Sequence, residues 1–89
     1  MAHIPSKVLQ EKLEKARQLV RVGERYRHYR GDEYVVIELA LQEETAEVCV
    51  VYKNLANHLI WVRGLANWQS TVKLENGQTV ARFERYSPK

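Results

Sequence analysis

The chain carries one cysteine among its 89 residues, so no disulfide can staple the fold from within. Cys49 sits in the apolar run "VCVVY", where a free thiol behaves as a small hydrophobe, and no cation beside it in sequence lowers its pKa. No apolar run approaches the ~20 residues that span a bilayer, and the stretch "MAHIPSKVLQEKLEKARQLV" lacks a secretory h-region, so a cytoplasmic protein with no membrane partner is expected. Histidines are few and scattered: His3, His28 and His58 form no recognised ligand spacing with each other or with Cys49. Nucleophile-elbow, P-loop and dinucleotide motifs are missing as well. Neither a metal nor a cofactor is therefore expected, and a binding role is preferred to an enzymatic one.

A strong basic excess is also lacking once the net charge of +3 is divided. All of it belongs to residues 1–22; the remainder, 23–89, balances 9 basic against 9 acidic side chains. A neutral body argues against an extensive phosphate-binding surface, because nonspecific nucleic-acid affinity scales with the phosphates neutralised. The hydrophobic share of 45% and charged share of 28% are those of ordinary globular domains. At this length there is room for one core only. The expected division is a helical extension over 1–22 and a small β domain over 23–89.

What is present follows two periods. Leu9, Leu13, Ala16 and Val20 recur at spacings of 4, 3 and 4, which predicts an amphipathic helix from Ser6 to about Arg21, with Ser6 as N-cap, Gly23 at C′ and a Glu11/Lys15 pair on its surface. Its apolar stripe must cover the rest of the domain or pair with the same helix of a second chain, as a homodimer would. After Gly23 the pattern turns to strands at 25–29, 34–41, 47–52, 59–62, 71–74 and 79–85. Asn76-Gly77 predicts a two-residue type I′ hairpin turn, and "RGLANWQ" reads as a loop or single helical turn. Val80 and Phe83 have opposite parity, so both face the core only if the chain bends between them. Five or six short strands in this space predict a bent sheet closing into a small barrel.

The segments "VGERYRHYRGDEYVV", "EETAEVCVVY", "IWVRGL" and "ARFERY" resemble, in order and spacing, the bacterial family of unknown function DUF1653, from about Val22 to Tyr86. That resemblance implies a mainly β, SH3-like barrel and implies no activity. The chain departs from the family pattern at Gln42 and Glu43, where His-Ser is usual, at Gly64 for a proline, and at Trp68 for a phenylalanine.

Strand alternation puts Tyr26 and His28 on one face of the first strand, and Trp61 and Arg63 on one face of a later one. If those faces meet, two rings, an imidazole and a guanidinium surround one hollow, with Glu44 at a neighbouring turn to orient Arg63. Aromatic faces stack on planar groups and arginine forks bind carboxylate or phosphate, so the expected ligand is a nucleotide or single-stranded nucleic acid, with Arg27 and Arg30 as phosphate contacts. The competing reading makes the rings core volume and pairs Arg63 and Arg82 with Glu44 or Glu84. A peptide-binding SH3-like module is the alternative function, and a His28/Glu44 acid–base pair the least favoured.

Overall fold

The computed structural model describes residues 4–88, so His3 lies outside it. Among the described residues no helix is long and apolar enough to cross a membrane. The expected helix, α1, spans Ser6–Leu19, and its stripe is laid on the chain's own sheet: Ala16 and Val20 are buried, with Leu13 packed beside them. Lys12 Nζ also donates to the Ala46 carbonyl at 2.7 Å, tying the helix to the turn at 42–47. Leu13, Ala16 and Val20 therefore need no second chain to cover them. Its ends differ from expectation in detail. Pro5 is the N-cap residue, and its carbonyl accepts from the Val8 and Leu9 N–H groups; the helix stops at Leu19 because Val20 turns extended to drop into the core. Gly23 serves the turn beyond, at φ +87°, donating its N–H to the Val36 carbonyl at 2.8 Å. Glu11 and Lys15 form no ion pair among the described residues; the helix carries an exposed Arg17–Glu14 contact at 3.4 Å.

Seven strands follow, with one helical turn: β1 Arg25–His28, β2 Glu33–Leu41, β3 Val48–Asn54, β4 Ile60–Gly64, α2 Leu65–Trp68, β5 Thr71–Lys73, β6 Thr79–Ala81 and β7 Phe83–Tyr86. The first sheet has the order β4-β3-β2-β1-β7, all antiparallel, and β5–β6 form a separate hairpin. The mainly β class is as expected, but hydrogen bonding does not close the sheet into a barrel: β4 and β7 remain edges. The extra strand arises at the parity conflict. The chain breaks at Arg82, whose N–H donates to Ser70 O at 3.0 Å and whose carbonyl accepts from Tyr29 N–H at 3.0 Å, so Val80 and Phe83 enter different sheets. The Asn-Gly turn also differs. Only Gly77 has positive φ, and it donates to Leu74 O while Leu74 N–H donates to Gln78 O, giving a three-residue loop at 75–77. Asn76 keeps a negative φ and spends its Oδ1 on the Gln78 N–H at 2.9 Å.

Register assigns the inner face. Val48, Val50, Tyr52 and Asn54 of β3 lie opposite Leu41, Leu39, Val36 and Tyr34 of β2. Val36 and Leu39 are three apart yet both buried, because a bulge at Ile37 inserts one unpaired residue and restores the alternation. α1 covers one end of this face, and the segment returning through α2 covers the other with Trp68. There Phe83 stacks on Trp68 at 3.7 Å between centroids and 5° between planes, with Tyr34 and Tyr52 edge-on to it at 5.9 and 5.8 Å. Tyr26 packs edge-on to Trp68 at 5.4 Å. Its hydroxyl accepts from the Arg21 N–H at 2.9 Å.

Phe83→Ala is expected to cost about 3–5 kcal/mol of unfolding free energy. Tyr26→Phe, which removes only the acceptor for Arg21, should cost about 1–2 kcal/mol. Urea denaturation measures both; equal losses would contradict the view that ring packing dominates this core.

Candidate functional site

The "YRHYRG" segment is the end of β1 and the tight turn into β2. Gly31 at φ +109° makes the turn possible, donating its N–H to His28 O at 2.7 Å while His28 N–H donates to Asp32 O at 2.8 Å. Alternation sends the expected residues to different fates. Tyr26 is only 5% exposed and its hydroxyl is occupied, so it has no face to offer a ligand. His28, two residues on, reaches the margin of the core, where its ring meets Phe83 edge-on at 5.0 Å and lies 4.5 Å from that of Tyr29. Its Nδ1 accepts from the Arg30 N–H at 3.2 Å, which leaves Nε2 to carry the proton.

Arg63 comes to the same place from the far edge of the sheet. Its guanidinium carbon lies 5.2 Å over the Phe83 ring, its Nε donates to the Tyr52 hydroxyl at 3.2 Å, and its Nη1 donates to Asn67 Oδ1. The curled sheet thus brings His28 and Arg63 to one ring, Phe83. Arg82 and Arg30 join them: Arg82 Nε donates to Ser70 Oγ at 2.8 Å, and Arg30 lies 5.5 Å over Tyr29, donating to its hydroxyl. The expectation that Arg63 and Arg82 pair with Glu44 or Glu84 fails. The ion pairs among the described residues are Arg17–Glu14, Arg27–Glu33 and Arg85–Glu24, and the three arginines near His28 rest on neutral oxygens. Burial first, then the charges of Arg63, Arg82 and Arg30, push the His28 pKa below its ordinary value, against a smaller opposing pull from Asp32.

The remaining expected residues lie elsewhere. Trp61 is 52% exposed on β4, the edge strand three places from β1 in the sheet. Glu44 lies in the 42–47 turn, at the opposite end of the β2–β3 hairpin from Tyr34 and Asn54, with its N–H on Gln42 Oε1, and it makes no ion pair with Arg63. Arg27 faces the outer side. There its Nη2 reaches Glu33 at 2.7 Å and its guanidinium covers the Tyr86 ring at 4.4 Å, so its charge is spent, and it holds the Glu33 carboxyl below the usual carboxylate range. Beside it a cleft of about 250 Å³ runs between the tip of β1 and the β5–β6 hairpin, with Leu74, Val80 and Ala81 on the hairpin side and Arg27, His28 and Tyr29 opposite.

The family model described as "Protein of unknown function (DUF1653)" matches residues 24–85, most of the chain. The chain belongs to the DUF1653 family. A crystal structure of a DUF1653 protein from Bordetella bronchiseptica is 37% identical, with a TM-score of 0.66, over 81% of this chain and 97% of that one. No curated protein matches it. Within this DUF1653 chain, His28, Arg30 and Arg63 were candidates from sequence, whereas Arg82, Asn67 and Tyr34 were not expected beside them. Arg82 had a signal, since it stands at the parity break between Val80 and Phe83; nothing in the sequence marked the other two. Cys49, buried, has its thiol pKa raised by burial, in keeping with its expected inertness.

The lowered His28 pKa makes stability depend on pH. The unfolded chain takes up this proton near pH 6.5 and the folded chain only at lower pH, so stability is fully present above about 6.5 and is lost as pH falls below it. Melting temperatures between pH 7.5 and 5.5 should fall for the wild type and stay flatter for His28→Gln. Parallel curves would place the titration elsewhere.

Proposed function

We propose that this chain is a small binding module for a planar ligand bearing an anionic group, a nucleotide or a short single-stranded nucleic acid, received beside the "YRHYRG" turn. One observation carries the reading: Arg30, Arg63 and Arg82 converge on a half-buried neutral histidine without a carboxylate partner among the described residues. Each keeps guanidinium N–H groups that its own hydrogen bonds do not use, because Arg63 spends only Nε and Nη1, and Arg82 and Arg30 only Nε. Unspent forks in a cluster suit a phosphate or carboxylate, and the neighbouring rings of His28, Tyr29 and Tyr34 suit a planar body. A cytoplasmic location, where nucleotides abound, fits this reading.

The site in this proposal is narrower than the hollow expected from sequence. It comprises His28, Arg30, Arg63 and Arg82, without Tyr26 or Glu44. Peptide capture in an aromatic groove, which an SH3-like barrel would suggest, has less support because the Tyr26 ring is sealed in the core and cannot line such a groove. The acid–base reading has less still, with Glu44 at the far end of the hairpin from the His28 side.

A panel of nucleotides and short oligonucleotides, screened for thermal stabilisation, should yield a binder whose affinity falls with added salt. Arg30→Ala, which removes an exposed side chain outside the core, should weaken it about tenfold, as loss of a charged hydrogen bond does. Tyr26→Phe should leave affinity unchanged. Binding indifferent to salt and to Arg30→Ala would overturn the proposal.

A further inference from the structure

The edge strand β4 and the residue before it expose four consecutive large apolar side chains: Leu59 at 53%, Ile60 at 61%, Trp61 at 52% and Val62 at 65%. Alternation places Leu59 and Trp61 on the inner side and Ile60 and Val62 on the outer, so apolar surface flanks the edge on both faces. The edge itself is unpaired among the described residues. Asn54 N–H donates to Leu59 O at 2.9 Å, and antiparallel ladders alternate bonded with non-bonded pairs. Tyr52–Trp61 and Val50–Arg63 are therefore the bonded pairs toward β3, and the N–H and C=O of Ile60 and Val62 point away from the sheet. A long apolar edge of this kind is a template for another strand, and it carries no lysine, proline or bulge to blunt it.

We propose that the occupant is a second copy of this chain, paired β4 to β4 about a two-fold axis at Trp61. The self-complementarity of the edge selects it. In that register Ile60 of one copy lies opposite Val62 of the other, and these are the residues whose peptide groups point outward, so four hydrogen bonds form across the junction. Trp61 meets Trp61 at the intervening non-bonded pair, where cross-strand side chains approach most closely. Ile60 and Val62 of both copies cover each other on the outer face, and Leu59 meets the stem of Arg63 on the inner one. Four apolar side chains per copy make a small interface, below the ~800 Å² per partner of a standard complex, so the dimer forms and dissociates with concentration. The proposal does not rest on the ligand reading, because the junction is made by the outward peptide groups and outer-face side chains of Ile60 and Val62, although β4 also carries Arg63 of the ligand site on its inner face.

Sedimentation over a range of concentrations tests it. The wild type should pass from monomer to dimer, while Val62→Lys, whose side chain is already in solvent, should stay monomeric with an unchanged circular dichroism spectrum. Trp61→Cys should form an oxidised dimer at least tenfold faster than Ile60→Cys, because only position 61 faces itself across the axis; two Ile60 positions are offset by two residues, about 8 Å apart and beyond disulfide reach. A wild type monomeric throughout, a dimer that Val62→Lys leaves intact, or equal cross-linking at both positions would overturn the assignment. So would a monomer that takes up an unrelated extended peptide on β4.

Discussion

Phe83 stacked on Trp68 is the contact on which the rest of the molecule depends. The sheet is short and does not close on itself, so its inner face has to be covered by the chain that follows β4. The stacked pair does this at one end, and α1 with Ala16 and Val20 does it at the other. Tyr34 and His28 meet Phe83 edge-on, Tyr26 meets Trp68, and Tyr52 meets both. Such edge contacts add to area burial because the positive ring edge meets a negative face. A domain this small has little other apolar surface to bury, which explains why so much of its stability rests on a few large side chains.

The same pair decides where charge is gathered. Drawing Phe83 inward requires the break at Arg82, and the break sets the Arg82 side chain on Ser70 beside the β1 turn. Arg63 reaches the cluster by lying over the Phe83 ring, an arrangement that draws on cation–π attraction and on two neutral hydrogen-bond acceptors in place of a carboxylate. Core packing thus leaves cations unneutralised at the core margin. Burial first, and then that field, lower the His28 pKa, and an anion arriving there would offset the second cause.

Much of the architecture was legible from spacing. The helix stripe, the positions of the first four strands and the bend between Val80 and Phe83 all follow from periodicity, because each reflects which side chains must be buried. The Asn76-Gly77 turn was misread in type: Asn76 had a local hydrogen bond to Gln78 available without adopting positive φ. Barrel closure was not legible, because nothing in the strand pattern states whether β4 and β7 meet. For the site, the pattern grouped His28 with Tyr26 and Arg63 with Trp61, each pair on one face of its strand, and it treated Tyr26 as the equal of the others. Parity gives a residue its face; the position of Trp68 over that face decided that Tyr26 would be sealed and His28 left at the rim.

By itself the sequence determined the class of the protein, its single core, its family and the faces of its strands, since these depend on local period and on motifs read along the chain. Tertiary structure decided which faces meet. Arg30, Arg63 and Arg82 are separated by up to 52 residues in the chain, and their convergence on one histidine depends on how far a twisted sheet curls over a stacked pair of rings. Curl is a sum of many small backbone rotations and of packing between distant side chains, and no short stretch of residues encodes it.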